Sequence, residues 1–305
     1  MTLALSYTLQ VQNDIQRITG QLNDLQKQLS SGRKGDDLAA YGSGVSRLVN
    51  AKSLIALADA RISTTTQLDA RFAIQADALS GAATSSANLA QSIAEAVASD
   101  DGRTLDTQLD LTFSSIKQAL NETWNGQPLF AGERMGAGPI KIADAAALAA
   151  STGPSDIYEE ASRRQTIDLG TGAPIDLADK ASEISQGLFD AMKQMKQLLD
   201  ASGGQLGQGL TPTQKDQLQQ IALALRTGVS TLNSAEGRTG QLQKRLADMQ
   251  TQLQARADLL TKEVGDESDA DIAQVAIQLS TLQVQYQATA KSFADIASLS
   301  LLNYL

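Results

Sequence analysis

From Leu218 to Leu260 the chain keeps a strict seven-residue repeat. Positions 218, 221, 225, 228, 232, 235, 239, 242, 246, 249, 253, 256 and 260 alternate in steps of three and four. Leu218, Ile221, Leu225, Leu232, Leu242, Leu246, Met249, Leu253 and Leu260 fill nine of these thirteen; Gly228, Ala235, Thr239 and Arg256 are the exceptions. Such a stripe is the seam of a helix that packs lengthwise on a partner. Its start is marked by Thr211 as N-cap, Pro212 at the first helical position and Gln214 completing a capping box. Gly265-Asp266-Glu267-Ser268 reads as its stop. A continuous helix from 212 to 262 would be roughly 75 Å long, against a radius of gyration of about 19 Å for a compact globule of this chain length. The expected molecule is a rod, unless Gly228, Gly237 or Gly240 breaks the helix.

Both ends of the chain carry shorter seams of the same kind. Val11, Ile15, Ile18, Leu22, Leu25 and Leu29 form one; Ile272, Val275, Leu279, Leu282 and Tyr286 form the other, which resumes at Phe293 and Ile296. Each is a narrow apolar stripe on a polar helix, so neither can bury itself alone. Seams of similar length bury best against each other, which pairs the first and last ~40 residues. The stretch 46–99 is helical as well, with Leu48, Ile55, Ile62, Leu68, Phe72, Leu79, Leu89, Ile93 and Val97 on its seam. Ser99-Asp100-Asp101-Gly102 is a turn. The next helix presents Leu105, Leu109, Phe113, Ile116, Leu120 and Trp124 on one face.

At Gly126 the punctuation changes. Gly132, Gly136, Gly138, Pro139, Gly153, Pro154, Gly170, Gly172 and Pro174 follow within about 50 residues. Short runs at 139–142 and 165–169 read as strands between turns. Helix resumes near 179 and ends at Gly203-Gly204. Three parts are thus expected: a terminal coiled-coil domain of 1–45 with 266–305, a helical rod of 46–125 with 179–265, and a small inserted domain of 126–178 with some β structure. The fold class is mainly α, with paired termini.

Composition narrows the chemistry. The chain has no histidine and no cysteine, which excludes His general bases, Cys nucleophiles, Ser-His-Asp triads, disulfides and nearly every zinc or haem site. Its net charge is −9, so nucleic acid and anionic membrane surfaces are poor partners. No run approaches ~20 apolar residues, so no membrane insertion is expected. The first residues lack a basic segment followed by an apolar one, so no cleaved secretory signal is read. Other motifs have plain readings. Gly42-Ser43-Gly44-Val45-Ser46-Arg47 lacks the third glycine of a dinucleotide loop and reads as a helix boundary. Asp266, Glu267, Asp269 and Asp271 miss the EF-hand spacing and read as first-turn acids behind an N-cap at Ser268. Asn121-Glu122-Thr123 is a formal glycosylation sequon on a helix. Asp36 and Asp37 read as turn residues. No catalytic, cofactor or metal residues are expected, and the chain is not read as an enzyme.

Three segments carry a family resemblance. Leu29-Ser30-Ser31-Gly32-Arg33-Lys34 with Asp36-Asp37-Leu38-Ala39-Ala40 resembles the "LSSG(K/L)R…DD…A" segment of the flagellin superfamily. Asn121–Gly132, reading NETWNGQPLFAG, resembles the "N…(D/N)G.YLFAG" segment of its hook-associated protein 3 family, the hook–filament junction proteins. Asp269-Ala270-Asp271-Ile272-Ala273 and the closing Leu299–Leu305 resemble the C-terminus of that family. The resemblance covers roughly 1–132 and 179–305. It departs where residues are missing between Lys34 and Asp36-Asp37, and where Pro128 replaces a common Tyr.

The resemblance implies a structural subunit exported unfolded, without a cleaved signal, by the flagellar type III apparatus. It implies an extracellular ring between the first hook-associated protein and the flagellin filament, with an export chaperone as a further partner. It also implies terminal segments that are disordered in the free subunit and form an inner tube on assembly. The seam residues Val11, Ile15, Ile18, Leu22, Leu25, Leu29, Ile272, Val275, Leu279, Leu282, Tyr286, Phe293 and Ile296 are then the candidate self-assembly interface. A flagellin that builds the filament itself is the alternative within the superfamily. A cytoplasmic coiled-coil binding module is the alternative outside it.

Overall fold

The computed structural model describes residues 2–35, 37–169 and 174–302; for 2–8, 38–40 and 296–302 it describes the backbone alone. Asp36, Gly170, Gly172 and the closing 303–305 therefore lie outside the described residues. The described chain is mainly α. Helix α1 spans Thr2–Ser31, and a 3-10 segment, Leu38–Gly44, leads into α2, Val45–Ser99. Helix α3, Leu105–Leu120, is followed by the hairpin strands β1, Thr123–Trp124, and β2, Gln127–Pro128. Two short helices follow, α4 at Ala145–Ala150 and α5 at Pro154–Ile157, and then the second hairpin, β3 at Thr166–Ile167 with β4 at Ile175–Asp176. Helices α6, Ala181–Ala201, α7, Pro212–Ser268, and α8, Ile272–Leu302, complete the chain.

The expected long helix is present and unbroken. Helix α7 has 57 residues and passes through Gly228, Gly237 and Gly240. Its N-terminus is built as the sequence implied: the Gln214 amide donates to Thr211 Oγ1 at 3.2 Å, and the Thr211 amide donates to Gln214 Oε1 at 2.9 Å. It ends later than read, at Ser268 rather than before Gly265.

The chain forms two compact units, 1–60 with 252–305, and 61–251. The second unit holds the larger core. Leu79, Leu89 and Ile93 of α2, the whole Leu105-Leu109-Phe113-Ile116-Leu120 face of α3, Leu188, Phe189 and Met192 of α6, and Leu218, Leu225 and Leu232 of α7 are buried in one cluster. Phe189 stands 5.8 Å from Phe113 and 5.9 Å from Tyr158, ring centre to ring centre, in tilted and edge-on arrangements. Gly228 explains its own place in the heptad. A Cβ there would lie 2.5 Å from Leu188 Cγ, so the missing side chain lets α6 approach α7.

The segment 126–178, set apart by its punctuation, contributes to this core. Leu129, Phe130, Ile140, Ile142, Leu148, Ile157 and Tyr158 are buried in the same cluster as α3, α6 and α7. The Tyr158 hydroxyl lies 3.0 Å from Ser185 Oγ, and burial pushes its phenol well above the ordinary range. Leu169, Ile175 and Leu177, around the second hairpin, join Leu68, Phe72 and Leu246 in a separate small cluster.

Several local expectations are corrected. Trp124 is not on α3. That helix ends at Leu120, and Trp124 lies half-buried in β1. The reason is Asn121: its side-chain amide donates to the Ile140 carbonyl at 3.0 Å, and its Oδ1 accepts from the Ile140 amide at 2.8 Å. The sequon asparagine is thus a clamp at the helix end. Residues 139–142 form no strand; only an isolated bridge joins Ile140 to Tyr158.

Candidate functional site

The terminal seams meet within the first unit. Helices α1 and α8 pack along each other, and the join at one end fixes their antiparallel sense. Gly32, at φ +70°, closes α1 through its amide to the Gln28 carbonyl at 2.8 Å. Its own carbonyl accepts from the Ala270 amide at 2.9 Å, and Arg33 bridges antiparallel to Asp269. The Lys34 amide donates to the Ser268 carbonyl at 2.8 Å, and Lys34 Nζ donates to the carbonyls of Glu267 and Asp266 at 2.7 and 3.1 Å. A cation placed on the last free carbonyls of α7 is favoured by the helix dipole.

The acids around 266–271 also find their roles here. Ser268 is not the N-cap of α8. It is the last residue of α7, and its hydroxyl donates to Asp269 Oδ1 at 3.0 Å. The cap is Asp271, whose Oδ1 accepts from the amides of Ala273 and Gln274 at 3.0 and 3.1 Å. Glu267 pairs with Arg47 at 3.2 Å. Among the described residues, no three His, Cys, Asp or Glu side chains are grouped to hold a metal ion. No described helix is long and apolar enough to cross a membrane.

The seam is buried unevenly. Val11, Ile18 and Leu25 on α1 and Val275 on α8 are buried. Ile15, Leu22, Leu279, Leu282 and Phe293 are half-buried, and Leu29, Ile272 and Tyr286 are exposed. The side chain of Ile296 lies outside the described residues. A groove of about 400 Å³ runs between the helices, lined by Gln21, Leu25, Ile277, Thr281, Leu282 and Gln285.

Sequence reading missed part of this surface. Ile277 and Val284 stand 68 % and 64 % exposed, and Leu9 is exposed too. The two α8 residues are seven apart and fall outside the a and d positions, so they mark a second apolar stripe on the same helix. The spacing was visible, but the search for one seam passes over a second. The packed pair thus leaves an apolar face of α8 in solvent.

No protein-family model matches the chain, and no curated protein matches it by sequence. By fold it is similar to a protein of Vibrio parahaemolyticus assigned as a flagellar hook-associated protein. The identity is 16 % and the TM-score 0.59, with 76 % of this chain and 98 % of that one covered. It is also similar to FlgL of Bacillus cereus, at 11 % identity and a TM-score of 0.51, with 67 % and 98 % covered. At such identities the likeness is one of fold, and the chain has the mainly α, flagellin-like fold of these flagellar proteins.

Proposed function

We propose that this chain is a structural subunit of the bacterial flagellum, a junction protein between hook and filament that joins its neighbours through the α1–α8 pair. The observation that carries the reading is the second apolar stripe of α8. Ile277 and Val284, seven residues apart on one helix, stay exposed after the two helices have packed, which leaves an apolar face that a further helix can cover. The hook-associated neighbours in fold support the flagellar setting. The buried seam residues Val11, Ile18, Leu25 and Val275 then hold the pair together, while the half-buried and exposed ones, Leu22 and Leu282 among them, join the second stripe as the surface offered to the adjacent subunit. The proposal includes export of the subunit to the cell exterior, a homo-oligomeric assembly, and contacts with the first hook-associated protein and flagellin.

Cell fractionation tests it. Intact cells, sheared filaments and hook–basal bodies are blotted for this chain. A few copies retained with the hook end are expected. Bulk recovery with sheared filament would instead make it a flagellin, and recovery only in the cytoplasm would remove the flagellar reading.

A further inference from the structure

Within the 61–251 unit, α2 and α7 run antiparallel. Thr66 is bonded to Gln250 at 3.1 Å, Asp69 to Gln243 at 3.5 Å and Gln75 to Thr239 at 2.9 Å. On one side of the last pair lies the small cluster with Leu68, Phe72 and Leu246; on the other begins the large cluster with Leu79, Leu232 and Ala235. Between the two clusters the interface turns polar while staying buried. Gln75 is 3 % exposed and Arg71, one turn earlier on α2, is 5 % exposed.

This layer is incompletely satisfied. Gln75 Nε2 donates to Thr239 Oγ1, which itself donates to the Ala235 carbonyl at 3.1 Å, but Gln75 Oε1 has no partner. Arg71 reaches Gln165 Oε1 at 2.8 Å through one terminal nitrogen, and its Nε has no partner. These are the two buried side-chain atoms without a hydrogen bond among the described residues. Apolar residues here would be more stable, because each orphan atom carries a desolvation penalty of about 1–3 kcal/mol. A heptad seam of Leu and Ala is also poor at choosing between registers, since each turn offers nearly the same surface as the next. Beside the layer lies a cleft of about 530 Å³, lined by Gln75, Thr239, Asp179, Arg238 and Arg245 among others.

We infer that the Gln75–Thr239 pair, flanked by Arg71, is the register pin of the α2–α7 interface: a buried polar layer that holds the two helices at one axial setting at a cost in stability. A one-turn shift of α2 along α7 would separate Gln75 from Thr239 and bury both without a partner. The inference concerns the folded unit alone and does not depend on the flagellar reading.

The chain has no cysteine, so introduced pairs report position cleanly. Thr66→Cys with Gln250→Cys and Asp69→Cys with Gln243→Cys report the observed register. The crossed pairs, Thr66→Cys with Gln243→Cys and Asp69→Cys with Gln250→Cys, report a shifted one; a short bis-thiol-reactive cross-linker reads all four, because a glutamine hydrogen bond holds Cβ atoms farther apart than the ~4 Å of a disulfide. In the otherwise unchanged chain only the first two should cross-link. In Gln75→Leu/Thr239→Val, one crossed pair should rise from background to a yield comparable with the observed-register pairs, while the melting temperature holds or increases. The swap Gln75→Thr/Thr239→Gln restores a polar pair and should return the crossed pairs to background. Crossed pairs that stay at background in the Leu/Val variant would overturn the inference. So would a Leu/Val variant that fails to fold while the swap folds, since the pair would then serve stability and not register.

Discussion

The unit of 61–251 and the unit of 1–60 with 252–305 are built from the same long helices but solve burial differently. In the first, four faces converge: α3 hides its whole apolar stripe, α6 and α7 close around Phe189, and the irregular stretch 129–158 fills what remains. In the second, α1 and α8 have chiefly each other. One residue in seven on α1 is fully covered at Val11, Ile18 and Leu25, and α8 keeps Ile277 and Val284 in solvent. A two-helix contact can bury one stripe per helix and no more. The difference teaches how far each unit buries itself. The 61–251 unit buries one large core within the chain and leaves Leu111, Met135 and Leu223 exposed singly, whereas the terminal unit has no comparable core and rests on the α1–α8 seam.

The largest effect tests whether 133–178 belongs to the large core. Joining 132 to 179 removes Ile140, Ile142, Leu148, Ile157 and Tyr158 and uncovers Phe189. Burial of each such side chain is worth about 1.5–3 kcal/mol, so their sum is comparable with the whole stability of an ordinary domain. The purified deletion should lose its cooperative thermal transition. A sharp transition near the parent temperature would return the segment to the status of a removable insert and weaken the contrast. A smaller step in the same direction is Phe189→Ala. This side chain is fully buried between Phe113 and Tyr158, and its loss should cost about 3–5 kcal/mol in denaturant unfolding. A cost below 1 kcal/mol would mean that the site collapses freely.

The terminal unit should respond in the opposite sense. Leu282→Asp or Leu22→Asp places a carboxylate on a half-buried seam. In the assembled state that group would be buried without a partner, at a cost of several kcal/mol. Swimming and subunit assembly should be lost, while circular dichroism and the main unfolding transition of the monomer barely move. Normal motility in both variants would refute a seam that assembly buries. Melting of the 61–251 unit in either variant would erase the distinction between the two regions.

What could be read beforehand follows the physics of each region. Helix α7 was legible because its seam repeats and its N-terminus carries a specific cap, Thr211 with Gln214. The terminal pair was legible because two narrow stripes of similar length have few other ways to be buried. The 129–158 contribution was not, because Leu129, Ile140, Leu148 and Tyr158 share no period and are brought together only by tertiary contacts. Trp124 was misplaced because the helix stop at Asn121 depends on a backbone partner nineteen residues away at Ile140. The polar layer was half visible. Thr239 stood out as an exception in its heptad, but Arg71 and Gln75 look like ordinary solvent-facing residues until α7 and Gln165 cover them. On the candidate surface, the covered positions of the α1–α8 seam, such as Val11, Ile18, Leu25 and Val275, follow from spacing, whereas Leu9, Ile277 and Val284 needed the structure to show which faces stay open.

The smallest expected effect sharpens the comparison at the join of the terminal unit. Lys34 makes one backbone bond, to the Ser268 carbonyl, and two through its ammonium, to the carbonyls of Asp266 and Glu267. Lys34→Met keeps the stem and the backbone bond and removes only the cation. A cation at a helix C-terminus contributes about 0.3–1 kcal/mol at low salt, and screening reduces it. The 61–251 unit should therefore melt as before. The local opening of 28–35 and 265–272 should become several-fold more frequent, read as faster amide exchange of Ala270 and Lys34. Lys34→Arg, which keeps the charge, should restore slow exchange. High salt should narrow the gap between the parent and the Met variant, because the parent's ammonium is exposed. Unchanged exchange in Lys34→Met would make the cation incidental and leave the Arg33–Asp269 bridge and the Gly32 turn to hold the join alone. Equal acceleration in Lys34→Arg would point to the shape of the lysine stem, and the dipole argument would fail.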